Sequence, residues 1–215
     1  FPDYKKSQKE WNRECKNNIN EKLLSTLETN YKATKTDLAD ELVFYAYAVL
    51  NSDHYLHTFE GKLYTTSVEL PAIPIPKSYE LFNWMVEIGR KMADIEKKDF
   101  LSANQPGVFG GSLMDHEINM EYTISEGSIK IHDINSRETF AVQVPDEILN
   151  FQASGYEIVR EWLKYHSYSY YRKACGKREF EELQNLFGRI LDFKSLVASA
   201  DEIMSKILQS ELIMP

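Results

Sequence analysis

The chain contains 215 residues, of which 43% are apolar and 13% aromatic, and its formal net charge is −8. This length and composition are sufficient for one large domain or two small ones with a buried core. The acidic balance argues against a protein that coats nucleic acid nonspecifically. The longest apolar run, near residues 42–50, is too short to cross a membrane.

The opening segment and the cysteines indicate a piece of a longer cytoplasmic protein. The first residue is Phe1 rather than Met, and no charged-then-apolar leader is present. Cys15 and Cys175 are the only cysteines, and neither belongs to a CxxC pair. We therefore expect two reduced thiols in the cytoplasm rather than a disulfide framework.

Helices are predicted for the first part of the chain. Leucines at helical spacing predict a helix from about residue 19, which a polar break over residues 31–36 ends. Thr36 or Asp37 can cap the next helix, since their side-chain oxygens can accept from free backbone N–H groups. The expected buried face of that helix consists of Leu42, Ala46, Val49 and Leu50.

A proline-rich segment and a strongly amphipathic helix follow. Three prolines within residues 71–76 require an extended backbone, because proline fixes φ and restrains the residue before it. From Ser78 onward, apolar residues recur at steps of four and three, as on one face of a helix. These residues are Leu81, Met85, Ile88, Met92 and Ile95. Residues 105–111 (QPGVFGG) are expected to form a flexible connection.

The hydrophobic period then changes to that of strands. Apolar residues alternate with polar ones around Tyr122, Ile131 and Val142. Turns are expected at Glu126-Gly127 and at Asn135-Ser136, which predicts three antiparallel strands.

The remainder of the chain is predicted to be helical. Gly155 leads into a helix containing Val159 and Leu163, and two further helices, around Phe187 and Met204, are expected to close the chain. The predicted fold class is α+β, a helix-rich domain with a small antiparallel β-meander and a C-terminal helical bundle.

Three segments are expected along the chain. Residues 1–104 form a helical part with the extended proline segment, residues 105–150 the β-meander, and residues 151–215 the C-terminal helices. We expect them to make one compact domain that is a fragment of a longer protein.

No catalytic or metal-binding motif is evident. His54 and His57 are spaced like two ligands on one helix face, but no third ligand is near, so surface histidines are the simpler interpretation. Asp115, Glu117 and Lys130 could be arranged as a magnesium nuclease site, although charges at a meander edge are explained by solubility. We expect no catalytic residue, metal site or cofactor within this chain.

The region from Trp162 to Arg178 is the best candidate for binding chemistry. Between Arg160 and Arg178, six basic residues accompany one acid, a net charge of +5. Cations neutralise phosphates, and tyrosines can donate to phosphate oxygens or stack on bases. The alternative is a helix-to-helix connection with a buried Trp162 and an amphipathic rim. The candidate DNA-binding residues are Arg160, Lys164, Tyr165, Tyr168, Tyr170, Tyr171, Arg172, Lys173, Lys177 and Arg178.

Several stretches have the order and spacing of one protein family. Residues 44–55 (FYAYAVLNSDHY), 71–76 (PAIPIP) and 151–164 (FQASGYEIVREWLK) resemble the C-terminal target-recognition region of bacterial type ISP single-chain restriction-modification enzymes. The opening residues 1–4 (FPDY) and residues 89–93 (GRKMA) also resemble the family pattern. The sequence departs from that pattern at Ala72, Ser154, Tyr165 and His166.

The resemblance implies a DNA-reading module of a polypeptide that also carries a nuclease, a translocase motor and an adenine-specific DNA methyltransferase. S-adenosylmethionine, ATP and Mg²⁺ are implied for that parent protein and not for this chain. The implied partners are double-stranded DNA and the methyltransferase and motor domains of the same polypeptide. The competing hypothesis is a helical interaction module that docks on the methyltransferase or motor domain without binding DNA; the acidic net charge favours it.

Overall fold

The structure is a computed structural model, and it describes residues 19–63, 72–97, 99–104, 113, 115–125, 127–153 and 155–213. The expectations for Cys15, for the opening residues 1–4 and for the connection 105–111 lie outside these ranges. Within them, helices predominate beside a small antiparallel sheet, which confirms the predicted α+β class. None of the helices in these ranges is long and apolar enough to cross a membrane.

The helices are α1 Glu21–Tyr31, α2 Lys35–Leu50, α3 Asp53–Leu63, α4 Tyr79–Ile95, α5 Asp146–Leu149, α6 Ile158–His166, α7 Tyr168–Tyr171 and α8 Lys177–Gln209. The strands are β1 Met120–Ser125, β2 Ser128–Asp133, β3 Thr139–Gln143, β4 Gln152–Ala153 and β5 Tyr156–Glu157.

The chain divides into two compact units. Unit 1 comprises residues 1–91 and 197–215, and unit 2 comprises residues 92–196. The sequence-based division at residues 104 and 150 stays a prediction.

In unit 1, the cap of α2 differs from the predicted one. Thr34, not Thr36 or Asp37, is the N-cap residue, and its Oγ1 accepts a hydrogen bond from the Asp37 N–H. The Thr34 hydroxyl also donates to the Asp37 carboxylate at 2.6 Å. Asp37 is therefore the hydrogen-bond partner of the capping residue Thr34. Such a reciprocal pair satisfies backbone N–H groups that have no partner within the first turn of a helix.

The buried face of α2 is also rotated from the predicted one. Leu42 and Val49 are buried as expected, and Leu38 and Tyr45 complete the face. Leu50 was expected to be buried but is 48% exposed. Leu38, Leu42, Tyr45 and Val49 form a stripe at steps of four, three and four, and Leu50, about 100° around the helix from Val49, lies outside this stripe.

Two tyrosines hold the proline segment. The hydroxyl of Tyr31 donates to the carbonyl of Pro76, and that of Tyr45 donates to the carbonyl of Pro74. The Ile75 carbonyl accepts from the Ile213 N–H at 2.8 Å, and the two tyrosine hydroxyls supply donors for the neighbouring carbonyls of Pro74 and Pro76. Burial raises the pKa of both tyrosines far above the ordinary value, so both hydroxyls stay protonated donors.

Helix α4 carries the predicted apolar stripe and approaches α2 closely. Met85, Ile88, Met92 and Ile95 are buried, whereas Leu81 is partly exposed. A Cβ at Gly89 would lie 2.0 Å from the carbonyl oxygen of Phe44. Only glycine permits this contact between the two helices.

The predicted β-meander forms in unit 2. Strands β1, β2 and β3 are neighbours in that order and are antiparallel. In the register of the sheet, Tyr122 of β1 pairs with Ile131 of β2, and Ile131 pairs with Phe140 of β3. The inward side chains pack with those of helices in one core, whose buried members include Ile118, Ile129, Ile131, Val159, Leu163, Phe180, Leu183 and Phe187.

The prediction of two closing helices is wrong. A single helix, α8, runs from Lys177 to Gln209. No proline or glycine lies between Gly188 and Gln209, and apolar residues continue at steps of three and four through Phe193 and Val197. The apolar stripe is therefore continuous through the region where one helix was expected to end and the next to begin.

Candidate functional site

The ten candidate residues occupy one continuous part of unit 2. Arg160, Lys164 and Tyr165 lie on α6, and Ser167, which is buried, separates α6 from α7. The other three tyrosines lie on α7, Arg172 and Lys173 on the turn of residues 172–176, and the last two cations at the start of α8. We call this turn the 172–176 turn.

Four of the six candidate cations are paired with carboxylates. The pairs are Arg160–Glu157 at 3.2 Å, Lys164–Glu161 at 3.3 Å, Lys177–Glu181 at 3.6 Å and Arg178–Glu179 at 2.6 Å. Three of these acids, Glu157, Glu179 and Glu181, lie just outside residues 160–178, the range whose net charge is +5. Their spacing of three or four residues, or direct adjacency, is a signal that could have identified them.

Arg172 and Lys173 differ from the other four cations. Neither forms an ion pair with any residue that the structure describes. The Lys173 ammonium lies 5.1 Å from the centre of the Tyr171 ring, a cation–π contact. Arg172 adopts a left-handed backbone with φ 58°, and its N–H donates to the Tyr168 carbonyl at 3.1 Å. The two cations are therefore displayed side by side.

The 172–176 turn is anchored to the segment before β1. The Ile118 N–H donates to the Cys175 carbonyl at 2.9 Å, and the Cys175 N–H donates to the Ile118 carbonyl at 2.8 Å. The Cys175 side chain is fully buried, and burial raises the pKa of its thiol to about 11. It is a neutral thiol at physiological pH and serves packing rather than chemistry.

Helix α7 is tied to the sheet and presents aromatic rings. The Ser169 N–H donates to the Glu121 carboxylate of β1 at 2.8 Å. The rings of Tyr165 and Tyr170 meet edge to face, 5.0 Å apart, and are 45% and 59% exposed. Trp162 packs partly buried against the core, as the alternative interpretation expected for that residue. Tyr165, Tyr170 and Tyr171 are exposed to a ligand, whereas Tyr168, like Trp162, is only partly exposed.

A recess of about 600 Å³ lies beside the turn. It is lined by Asp115, His116, Glu117, Tyr171, Lys173, Ala174, Gly176, Lys177, Arg178 and Glu179. Burial alone would raise the pKa of Glu179, but hydrogen bonds from the Gly176 N–H and from Arg178 lower it. The recess therefore mixes cations with ionised carboxylates.

The geometry does not assemble the nuclease or histidine sites. Asp115 and Glu117 line the recess, but Lys130 lies in β2 opposite Thr123 and is not among the lining residues. The Nδ1–H of His57 donates to the carbonyl of Asp53 on its own helix, 2.7 Å away. In the ranges described, no group of three or more acidic, histidine or cysteine side chains is placed to hold a metal ion.

Comparison with known proteins adds one match. A family model described as the type ISP C-terminal specificity domain matches residues 1–186 of the chain. Neither the curated proteins nor the solved structures gave a significant match. The matched range includes α6, α7 and the 172–176 turn.

Proposed function

The chain belongs to the family of type ISP C-terminal specificity domains, and from this premise we propose that it positions duplex DNA through the 172–176 turn. Members of this family serve target recognition in restriction-modification enzymes. The finer assignment, contact of named residues with DNA, is our proposal.

The observation that carries the proposal is a pair of cations without carboxylate partners on a turn of fixed conformation. Arg172 and Lys173 have no carboxylate partner among the described residues, and the backbone of Cys175 holds the turn in place. A phosphate binding there replaces water rather than an existing ion pair, so it does not have to break an attraction first. Exposed Tyr170 and Tyr171 can add hydroxyl donors to neighbouring phosphates.

The four paired cations have a secondary role in this proposal. The carboxylates of Glu157, Glu161 and Glu181 are 33–56% exposed, and such surface pairs are worth about 0–1 kcal/mol, whereas Glu179 is only 13% exposed. A DNA phosphate can therefore compete for them, although approach also brings it near the acids. Arg160, Lys164, Lys177 and Arg178 are thus expected to contribute less than Arg172 and Lys173.

Chemistry on the DNA would take place elsewhere in the parent polypeptide. Methyl transfer to adenine would use S-adenosylmethionine, and cleavage or translocation would use Mg²⁺ and ATP, all bound by other domains. An enzyme that modifies a base inside a duplex must extrude it into a pocket. This chain would determine where on the duplex that happens.

The first prediction tests the two cations. The double variant Arg172→Asn, Lys173→Gln removes two charges, and asparagine tolerates the left-handed backbone at residue 172. Binding of the 215-residue chain to a fluorescent 30-base-pair duplex, measured by anisotropy from about 50 mM salt upward, should weaken. The slope of log affinity against log salt should become shallower by about 0.9 for each lost phosphate contact, about 1.8 in all.

The matched control removes two charges from unit 1. Lys22 and Lys91 are exposed and form no ion pair with a described residue, so Lys22→Gln, Lys91→Gln changes the net charge equally. Its binding should match that of the unchanged chain. Equal losses in both variants would mean that only net charge matters, and no measurable duplex binding by the unchanged chain would defeat the proposal.

A second candidate function is supported by an apolar recess of about 770 Å³ in unit 1. Its lining residues include Leu23, Leu42, Val43, Ile73, Pro74, Leu208 and Leu212. Val43 is 61% exposed. Such a surface suits docking on the methyltransferase or motor domain of the parent chain. If docking is the sole function, the chain binds no DNA, and variants at Arg172 and Lys173 leave its binding properties unchanged.

A further inference from the structure

The turn between β2 and β3, residues 134–138, is organised by one buried carboxylate. Asp133 Oδ1 accepts hydrogen bonds from the N–H groups of Asn119 at 3.1 Å and Asn135 at 3.2 Å, and Oδ2 accepts one from Ser136 at 3.0 Å. The Arg137 N–H donates to the Asp133 carbonyl at 2.9 Å. The backbone of the 134–138 turn is therefore held in one conformation before any ligand arrives.

Arg137 occupies a backbone conformation that favours glycine. Its φ is 63°, in the left-handed region that side chains with a Cβ rarely adopt. In the part of the chain that the structure describes, the other non-glycine residues with positive φ are Lys32 and Arg172. All three of these residues are Lys or Arg, although glycine would adopt a positive φ with less strain. Two of them, Arg137 and Arg172, belong to unit 2.

The 134–138 turn displays two recognition side chains. Asn135 and Arg137 are both exposed. The Arg137 guanidinium forms no ion pair, and the Asn135 side-chain amide forms no hydrogen bond, with any described residue. Both side chains are planar and can make paired hydrogen bonds to a flat partner.

The 134–138 turn and the 172–176 turn flank the same segment of chain. Ile118 exchanges two backbone hydrogen bonds with Cys175. The next residue, Asn119, accepts from the Ile134 N–H at 3.1 Å through its carbonyl. Adjacent residues of an extended segment direct their backbone groups to opposite sides, so the anchors of the two turns lie about two strand spacings, roughly 10 Å, apart.

We propose that the 134–138 turn reads base edges in the major groove while the 172–176 turn holds the phosphate backbone beside it. Arginine pairs with guanine O6 and N7, and asparagine pairs with adenine N6 and N7. The two turns are anchored to adjacent residues, Ile118 and Asn119, and we place one turn inside a major groove about 12 Å wide and the other at its edge. This inference rests on the proposed function and adds to it the residues that would set sequence preference.

The second prediction uses Arg137→Gly, which keeps the left-handed turn and removes the guanidinium. The 215-residue chain is used to select duplexes from a pool with a randomised 20-base-pair centre, and bound duplexes are sequenced. We expect the unchanged chain to enrich a motif, and Arg137→Gly to lose the preference at one base pair. Discrimination at that pair should fall by about 5- to 150-fold, while the melting temperature stays equal or rises.

Two glycine variants at the other left-handed positions are matched controls. Lys32→Gly, in unit 1, should leave both the motif and the affinity unchanged. Arg172→Gly should weaken binding to all duplexes similarly and leave the motif intact, because phosphate contacts carry no sequence information. Arg137→Asn, which also tolerates positive φ, repeats the test if the glycine variant folds poorly.

The outcomes separate this inference from the proposed function. If the unchanged chain enriches a motif and both Arg137 variants keep it, base reading by Arg137 is wrong while DNA recognition stands. If the unchanged chain binds no duplex, both fail. Loss of the motif in Lys32→Gly as well would attribute the effect to backbone stability, and would also overturn the assignment.

Discussion

At the scale of single residues, the structure separates cations that look alike in the sequence. Arg178 is held 2.6 Å from Glu179, whereas Arg172, six residues earlier, has no acidic partner among the described residues. Sequence composition identified all six cations but could not rank them, because ranking depends on which carboxylates approach in space. Arg137 was not selected at all, since its exceptional property is a backbone angle.

The third prediction concerns Asp133 and its turn. Burial alone would raise the pKa of Asp133, but hydrogen bonds from Ser136, Asn135 and Asn119 lower it below its ordinary value of 3.8. The carboxylate therefore stabilises the fold above pH 3.8, and this stabilisation is lost as pH falls through the lowered pKa. Asp133→Asn should reduce the free energy of unfolding by about 1–2 kcal/mol at pH 7.

Urea denaturation of both proteins between pH 3 and pH 7 checks this prediction. The difference between them should shrink as the pH falls below 3.8, because protonation removes the same charge from the unchanged chain. Asp94→Asn is the control, since Asp94 is exposed and forms only a surface pair with Lys97. A difference that does not vary with pH would contradict the assigned role.

At the scale of elements, periodicity located most helices and all three strands of the meander. The alternation around Tyr122 and Ile131 worked because one face of the sheet is buried and register is thereby specified. The ends of the helices were predicted less accurately than their positions. Thr34 was missed as a cap, and α8 was predicted as two helices although no proline or glycine lies between Ile190 and Leu196.

The fourth prediction tests the continuity of α8. Ser195 lies within it and is exposed, so Ser195→Pro removes a backbone donor and introduces a clash with the preceding turn. We expect a loss of about 3 kcal/mol or more in the free energy of unfolding. Lys177→Pro, at the first helical residue, should cost far less, because proline is tolerated there. Equal, small effects in urea denaturation would favour two separate helices.

At the scale of the whole molecule, local ion pairs leave fewer unpaired cations in the candidate region than the count of basic residues in the sequence indicates. The chain has a net charge of −8, and carboxylates accompany four of the six candidate cations. An acidic protein of this kind should depend on a few well-placed contacts rather than on a broad positive field. Recognition, rather than nonspecific coating, is consistent with that balance.

The fifth prediction concerns how strongly the affinity of the chain for a duplex depends on salt concentration. If only Arg172 and Lys173 engage phosphates, log affinity for a duplex should fall with log salt at a slope of about −2; if all six cations engage them, the slope should be about −5. We expect the shallower value. Anisotropy titrations of the unchanged chain between about 50 and 200 mM salt distinguish the two, and a slope near −5 would show that the ion pairs open on binding.

The sequence by itself determined the family, the α+β class and the region of tyrosines and cations, since these depend on order, spacing and hydrophobic period. The spacing of Glu157, Glu179 and Glu181 from their cations is a local signal in the sequence, but only the tertiary structure decided that Arg172 and Lys173 have no carboxylate partner among the described residues. It also decided that residues 118 and 119 anchor two turns, 134–138 and 172–176, that are far apart in sequence. Such long-range hydrogen bonds leave no periodic signal, and for that reason Arg137 emerged from the fold alone.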